Sequence, residues 1–506
     1  MSQAKKENKI EKDIRDSRKT KLDDSFIIKD FLEYVPYELG GMNMLHTKVP
    51  QIEEIIEDAL ANAVREGQPQ LVSVVDRIDL TDPFIFFQNA AQVDQHRVFW
   101  RSAEEDFVMA GSGCASQMFT ASQNRFHELQ KAWNDLRAKA IVYDPFEQKG
   151  TGVVALGGFS FDSAEEEKTP WESFPDSQMT IPAFLLTNRN GESYFTTTVL
   201  IYPEDHEQQI VHQILEQRAL LLKESRDVPD LPERLHATEL NPEDWKASVK
   251  RATDDIKQGI LDKVVLAREL RVTFKDPVQI AAVLRELVNT QENSYIFAVE
   301  SGGDYFIGAT PERLVKVEDQ QLVSTCLAGT TPRGKDAEED HALGQQLYHD
   351  PKNRQEHEFV VRMIREAVEA CCYNVEIPKA PVLYPLSNLQ HLYTPVRATL
   401  ENGYTLLDVV ERLHPTPALG GMPQKASVTY IRENEYLNRG WYAGPIGWFD
   451  RSNNGEFAVA IRSALIQGKE ASLFAGCGVV EDSDPEAEYE ETAVKLKPML
   501  SVLGGL

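Results

Sequence analysis

Between Lys263 and Cys326 the chain reads as five strand-like segments with a single helix among them, and the last four strands follow one another at hairpin length. Lys263–Phe274 alternates apolar and polar residues, with Val264, Leu266, Leu270 and Val272 on one face and Lys263 on the other. Pro277–Thr290 has helical spacing, and Ser294–Glu300, Tyr305–Gly308, Arg313–Val317 and Gln321–Cys326 then come as successive strands. Runs of strands with joins this short, bracketed by helices, predict an α+β layered fold with large, mostly antiparallel sheets.

The flanking segments extend this pattern. A helix is expected over Val49–Arg65, strands over Leu71–Asp76, Arg97–Ala103 and Phe107–Ala110, a turn at Gly111-Ser112-Gly113, and a helix over Ala121–Ala140. Gly152–Phe161 suits a central strand, and Ile181–Asn188 with Ser193–Tyr202 reads as a hairpin. A helix should start at Asn241-Pro242, with Trp245, Val249, Ala252, Ile256 and Ile260 on its apolar stripe. One long helix is expected over Glu339–Glu369, and another from Asp484 to Leu503. The division reads as a polar, disordered or frayed tail over 1–25, an N-terminal part over 26–240, and a catalytic region over 241–506.

A chain of 506 residues with net charge −27 carries no basic surface for non-specific nucleic-acid binding. Its five cysteines are odd in number and lack zinc-ligand spacing, which points to a reducing compartment. Neither a secretory signal nor an apolar run of membrane-spanning length is present, so a cytoplasmic protein is expected.

Three segments offer chemistry. Lys263 is a lysine in an apolar strand, and it is at an edge, snorkelling, or buried for a reason. Desolvation would make it a base near neutral pH. Glu312, after Pro311 between two strands, is a turn carboxylate or a shielded acid able to protonate a leaving oxygen. Glu488, Glu491 and Lys495 share one face of the last helix, as a solvated ion-paired face or as part of a site. Carboxylates from that helix and from Glu356, with water and substrate oxygens, would suit Mg²⁺. No P-loop, zinc or dinucleotide motif appears.

The segments Lys263–Arg268, Gly308–Arg313, Leu327–Thr330, Glu356-His357, His414–Gly421, Gly440–Gly447, Ala460–Ala464, Ala475–Gly478 and Asp484–Thr492 follow one another in one order. In that order they resemble the chorismate-utilising enzymes, which include isochorismate, salicylate and anthranilate synthases. The resemblance covers roughly residues 240 to 503, and Val154–Asp162 also looks like the family's N-terminal part. It implies that Glu356 and Glu491 hold Mg²⁺ against the ring carboxylate of chorismate, with Glu488 in the outer shell. It implies that Tyr442 and Arg462 bind the enolpyruvyl carboxylate, that Gly329, Thr330 and Gly478 present backbone amides, and that His391 and Lys495 line the pocket.

Within the family the whole is most similar to the isochorismate synthases. Lys263 stands where ammonia-using relatives usually carry glutamine, and Ala418 where lyase and aminase relatives often carry threonine. The implied reaction adds water at C2 of chorismate with Lys263 as base and removes the C4 hydroxyl with Glu312 as acid. Salicylate synthesis, with loss of pyruvate, is the alternative. A non-catalytic chorismate binder would need neither proton carrier. A monomer without an amidotransferase partner, serving menaquinone rather than siderophore synthesis, is expected.

Overall fold

The computed structural model describes residues 52–165, 169–224, 230–385 and 389–504. The expected tail over 1–25 lies outside the described residues. Among the described residues the chain builds a 13-stranded and a 10-stranded sheet, and their strands pair antiparallel except where Gln70–Ile78 meets Ile141–Tyr143. This is the α+β, mostly antiparallel architecture that the strand runs predict.

Strands from both halves of the chain interleave. Arg97–Arg101 pairs with Tyr295–Ser301 in the larger sheet, and Val154–Phe159 pairs with Pro445–Asp450 in the smaller. Alternation along a strand fixes which residues face which core. Trp100, Phe297, Val299 and Leu465 join one core, which also takes Leu156, Val315 and Phe457 from the smaller sheet. Phe99, Ile296, Ala298 and Ile466 face a second core with helices Ile52–Glu66, Pro83–Ala90, Glu207–Leu221 and Ile280–Thr290. The amphipathic helices are thus held by burial of one face rather than by propensity alone.

Four expectations need correction. The helix over Glu339–Glu369 is two helices, Ala337–His349 and Pro351–Glu369. Pro351 has no amide to continue the first helix, and the Asp350 carboxylate accepts from the Asn353 amide at 2.7 Å to start the second. Gly111 and Ser112 do not turn the chain but extend the strand Phe107–Ser112, where a side chain at Gly111 would meet Val98 at 2.6 Å. The hairpin is Phe184–Arg189 with Glu192–Ile201, and Ile181 ends a separate strand, Ser177–Ile181, before Pro182. The apolar run Phe457–Leu465, which reads as one strand in the sequence, is divided between two strands, Gly455–Val459 and Ser463–Gln467, one in each sheet.

Trp171 ties the two halves together behind the site. Its indole is 1% exposed, stacks on Phe474 at 5.6 Å, meets Phe306 edge-on at 5.1 Å, and donates to the Asn438 carbonyl at 3.1 Å. The backbone of Gly440 lies so close that an added Cβ would sit 2.1 Å from the ring. Replacing Trp171 by alanine should cost about 3–5 kcal/mol, read from urea unfolding. A loss under about 1 kcal/mol would mean that the indole is not an anchor.

Candidate active site

Two crossovers between the sheets define the site. The strand Asp304–Thr310 belongs to the larger sheet and Arg313–Glu318 to the smaller, so the chain changes sheet at Pro311-Glu312. Gly455–Val459 and Ser463–Gln467 make the reverse change through Ala460–Arg462. The crossovers run side by side: the Val459 amide donates to the Glu312 carbonyl at 3.0 Å, and the Ala309 amide to the Arg462 carbonyl at 3.1 Å. Arg462 adopts φ 50°, a left-handed conformation uncommon for arginine, at the point of the bend. Such strain concentrates at functional sites.

Glu312 and Arg462 therefore face one another in a partly accessible place. Burial pushes the Glu312 carboxyl up to about 7, and the positive charges of Arg462, Lys495 and Lys263 oppose but do not cancel that rise. Burial lowers the Arg462 pKa, and the charge of Glu312 partly restores it. No carboxylate forms an ion pair with Arg462 among the described residues, which leaves its fork available to an incoming anion.

Lys263 opens the strand Lys263–Phe274 and is 12% exposed at its side chain. Its ammonium pairs with Glu356, which projects from the helix Pro351–Glu369. The adjoining strand Glu470–Val479 makes room for it: a Cβ at Gly478 would lie 2.7 Å from Lys263 Cε and 4.0 Å from Glu356 Oε1. The Ser427 hydroxyl donates to the Lys263 carbonyl at 3.0 Å.

The helix Pro485–Val502 packs on the same strand and carries Glu488, Glu491 and Lys495. Lys495 pairs with Glu491 at 2.7 Å and donates to the Gly476 carbonyl at 3.0 Å. Burial raises the Glu488 carboxyl, the Glu491 charge raises it further, and bonding to Ser483 opposes both. Arg268 fixes this helix from below, with Nε donating to Thr492 Oγ1 at 2.6 Å.

The smaller sheet supplies the facing wall. Gly329 has φ +81° at a bulge between Ala328 and Thr330, a conformation that favours glycine. Beyond the bulge, Thr330 pairs with His391, and their Oγ1 and Nδ1 are hydrogen-bonded at 2.9 Å. Among the described residues His391 Nε2 is buried without a hydrogen-bond partner, while the Gly329 backbone bonds to the imidazole. Burial, with the charges of Arg462 and Lys495, pushes His391 down to about 3, so the imidazole is neutral. Buried polar atoms are usually paired, so an orphan here points to a ligand. Tyr442 stacks on Phe474 at 5.3 Å, and its hydroxyl would be 3.4 Å from a Cβ at Gly476. Ala418 is partly accessible within Leu413–Gly421, a run otherwise buried.

Apart from Ala418, for which only partial exposure is seen, the residues singled out in the sequence gather in one neighbourhood through contact or mutual charge. Sequence reasoning missed Ser427, Arg268 as a clamp, and the buried pair Glu435–Arg439 in a polar segment that reads as a loop. Among the described residues no three or more histidine, cysteine, aspartate or glutamate side chains cluster as a metal site. Glu356 and Glu491 lie near the same end of the strand Glu470–Val479, around Gly478 and Cys477, and each now pairs with an ammonium group. Hard oxygen donors where positive charge already sits fit a Mg²⁺ whose shell is completed by water and substrate.

Comparison with known proteins gives a consistent picture. The model of the family described as "Chorismate binding enzyme" matches residues 58–504. The chain is 41% identical over 453 residues to isochorismate synthase MenF of Bacillus subtilis, covering 88% of this chain and 96% of that protein. It is 36% identical over 457 residues to the salicylate biosynthesis isochorismate synthase of Pseudomonas aeruginosa, covering 89% and 94%. The solved structure of MenF, the menaquinone-specific isochorismate synthase from Escherichia coli, superposes with TM-score 0.73 at 25% identity, covering 88% and 99%.

Infrared difference spectra of wild type against Glu312→Gln should show a carboxyl band titrating near the pH of about 7 given by burial. A midpoint in the ordinary carboxylate range would contradict the desolvation of Glu312.

Proposed function

We propose that this chain, which belongs to the chorismate-binding enzyme family, is an isochorismate synthase that converts chorismate to isochorismate. The observation that carries the proposal is Glu312, a carboxyl pushed up to about 7, beside Arg462 at the paired crossovers and within reach of the charge of Lys263. The 41% identity to an isochorismate synthase over most of both chains supports the same reading.

Arg462 and Tyr442 hold the enolpyruvyl carboxylate, and the neutral His391 gives its free ring nitrogen to the substrate. Backbone amides at Gly329, Thr330 and Gly478 face carboxylate oxygens. Ala418 leaves the pocket wall small beside the ring. Lys263, as the base, takes a proton from water as the water oxygen bonds to C2. The ring double bonds shift, and the C4–O bond breaks as Glu312 delivers a proton to the departing hydroxyl, which leaves as water. One water enters and one leaves. Proton exchange with solvent resets Lys263 and Glu312. General base and general acid each contribute on the order of 10²–10⁴-fold.

Magnesium would be held by Glu356 and Glu491, with Glu488 behind them, and would neutralise the ring carboxylate of chorismate. Every residue assigned a role lies in the region 241–506, and the described residues before 241 contribute strands to both sheets. No described helix is long and apolar enough to cross a membrane. We further assign the protein to the cytoplasm and to menaquinone synthesis, the role named for the Escherichia coli structure. It would act as a monomer without an amidotransferase subunit, because Lys263 activates water and no ammonia is needed.

Purified protein incubated with chorismate and Mg²⁺ should yield isochorismate by chromatography, without stoichiometric pyruvate. Pyruvate release would instead identify salicylate synthesis. Lys263→Ala should keep chorismate affinity and lose at least about 10²-fold in kcat; near-normal turnover removes Lys263 from the chemistry.

Glu312 must be protonated to act. Its folded pKa of about 7 exceeds the ordinary carboxylate value, so kcat/KM should fall about tenfold per unit above pH of about 7. A profile flat well above that pH would exclude Glu312 as the acid. Glu491→Gln should weaken the Mg²⁺ dependence of chorismate binding, and an unchanged Mg²⁺ titration would rule out its ligand role.

A further inference from the structure

The side chains of Glu435 and Arg439 stand where a strand is missing. The strand Lys263–Phe274 pairs on one side with Glu470–Val479 from Val264 to Thr273. On its other side it pairs with Gly421–Met422 at Lys263 and Val264, and with Arg234–Glu239 from Leu270 onward. Between these two partners the edge has no strand beside it among the described residues. The Val265 amide finds the Gly420 carbonyl at 3.1 Å. The Val265 carbonyl accepts from Arg439 Nη2 at 2.7 Å, and the Ala267 amide donates to Glu435 Oε2 at 2.7 Å. One acid and one base thus satisfy a main-chain acceptor and a main-chain donor of the open edge, as a neighbouring strand would.

The pair is also closed on itself. Arg439 Nε donates to Glu435 Oε1 at 2.6 Å and Nη2 to Oε2 at 2.7 Å. The two side chains are 4% and 2% exposed, and the guanidinium lies over the Phe161 ring at 4.3 Å. Burying two charges costs several kcal/mol per ion unless every donor and acceptor is used. Here the spare valences are spent on the segments that carry the site. Arg439 Nη1 donates to the carbonyl of Leu419, next to Ala418, at 3.0 Å. The Arg439 carbonyl accepts from the Tyr442 amide at 2.8 Å.

We propose that Glu435 and Arg439 are positioning residues for the reaction, locking the first residues of the Lys263 strand to the Ala418 segment and to Tyr442. Neither side chain touches the reacting atoms. Their effect is to fix the height of Lys263 against the pocket wall, where small displacements of a proton-transferring group are costly. The role rests on Lys263 being the base.

Arg439→Lys keeps the charge but loses the planar fork, and Glu435→Gln keeps an oxygen for the Ala267 amide but loses the ion pair. Both are compared with wild type for melting temperature, for kcat and KM on chorismate with Mg²⁺, and for the rate at which acetic anhydride acetylates Lys263, read by peptide mass mapping. Arg439→Lys should lose about 10²-fold in kcat and Glu435→Gln about tenfold, with KM within about threefold and melting within a few degrees. Lys263 acetylation should change by about fivefold in both. A role confined to stability would lower the melting temperature and leave kcat per folded molecule and Lys263 labelling as in wild type, and that result overturns the proposal. If Arg439→Lys does not fold, Glu435→Gln decides by the same readouts. If wild type makes no isochorismate, the isochorismate synthase reading fails by itself. Lys263 labelling then decides the positioning role: a changed rate supports it, and an unchanged rate in the folded variants overturns it.

Discussion

Two strands that leave one sheet for the other, side by side, are the constraint on which the site depends. Each crossover breaks a ladder and exposes main-chain groups, and the bonds from Val459 to Glu312 and from Ala309 to Arg462 repair the break reciprocally. That repair places a carboxyl and a guanidinium face to face where the two sheets hand over to one another. Neither side chain could be held there by a loop alone, because a loop would let them collapse into an ion pair with each other or reach bulk water.

The electrostatics follow from this placement. Glu312 is desolvated more than its cationic neighbours can offset, so it retains a proton up to about pH 7. With the acid neutral, Arg462 is left without a full counter-charge. On the other side of the pocket the lysines are answered: Lys263 by Glu356 and Lys495 by Glu491. The site thus separates a dry end, suited to proton donation and a single carboxylate, from an end with two helix-borne carboxylates suited to a hard cation. Gly478 is the hinge between them, since any side chain there would displace Lys263.

Much of this was legible in the residues. The strand Lys263–Phe274 was legible to the residue, although its burial does not alternate: Val264 through Leu270 are buried on both faces. The order of short motifs identified the family and grouped the candidate residues. Other features were not legible for physical reasons. The break at Asp350-Pro351 lies inside a stretch whose composition favours helix on both sides, so the proline was outweighed. The bend at Arg462 needs a left-handed arginine, which sequence pattern does not announce. The segment around Glu435 and Arg439 looks solvated because charged residues usually are, and only the unpaired edge of the Lys263 strand explains their burial.

In the proposed reaction Lys263 and Glu312 exchange one hydroxyl for another through solvent rather than moving it within the molecule. Turnover of chorismate in water enriched in heavy oxygen, followed by mass analysis of the product, tests that claim directly. The arrangement of a base at one side and an acid at the other predicts heavy oxygen in the C2 hydroxyl of isochorismate. A product carrying only the original oxygen at C2 would contradict it.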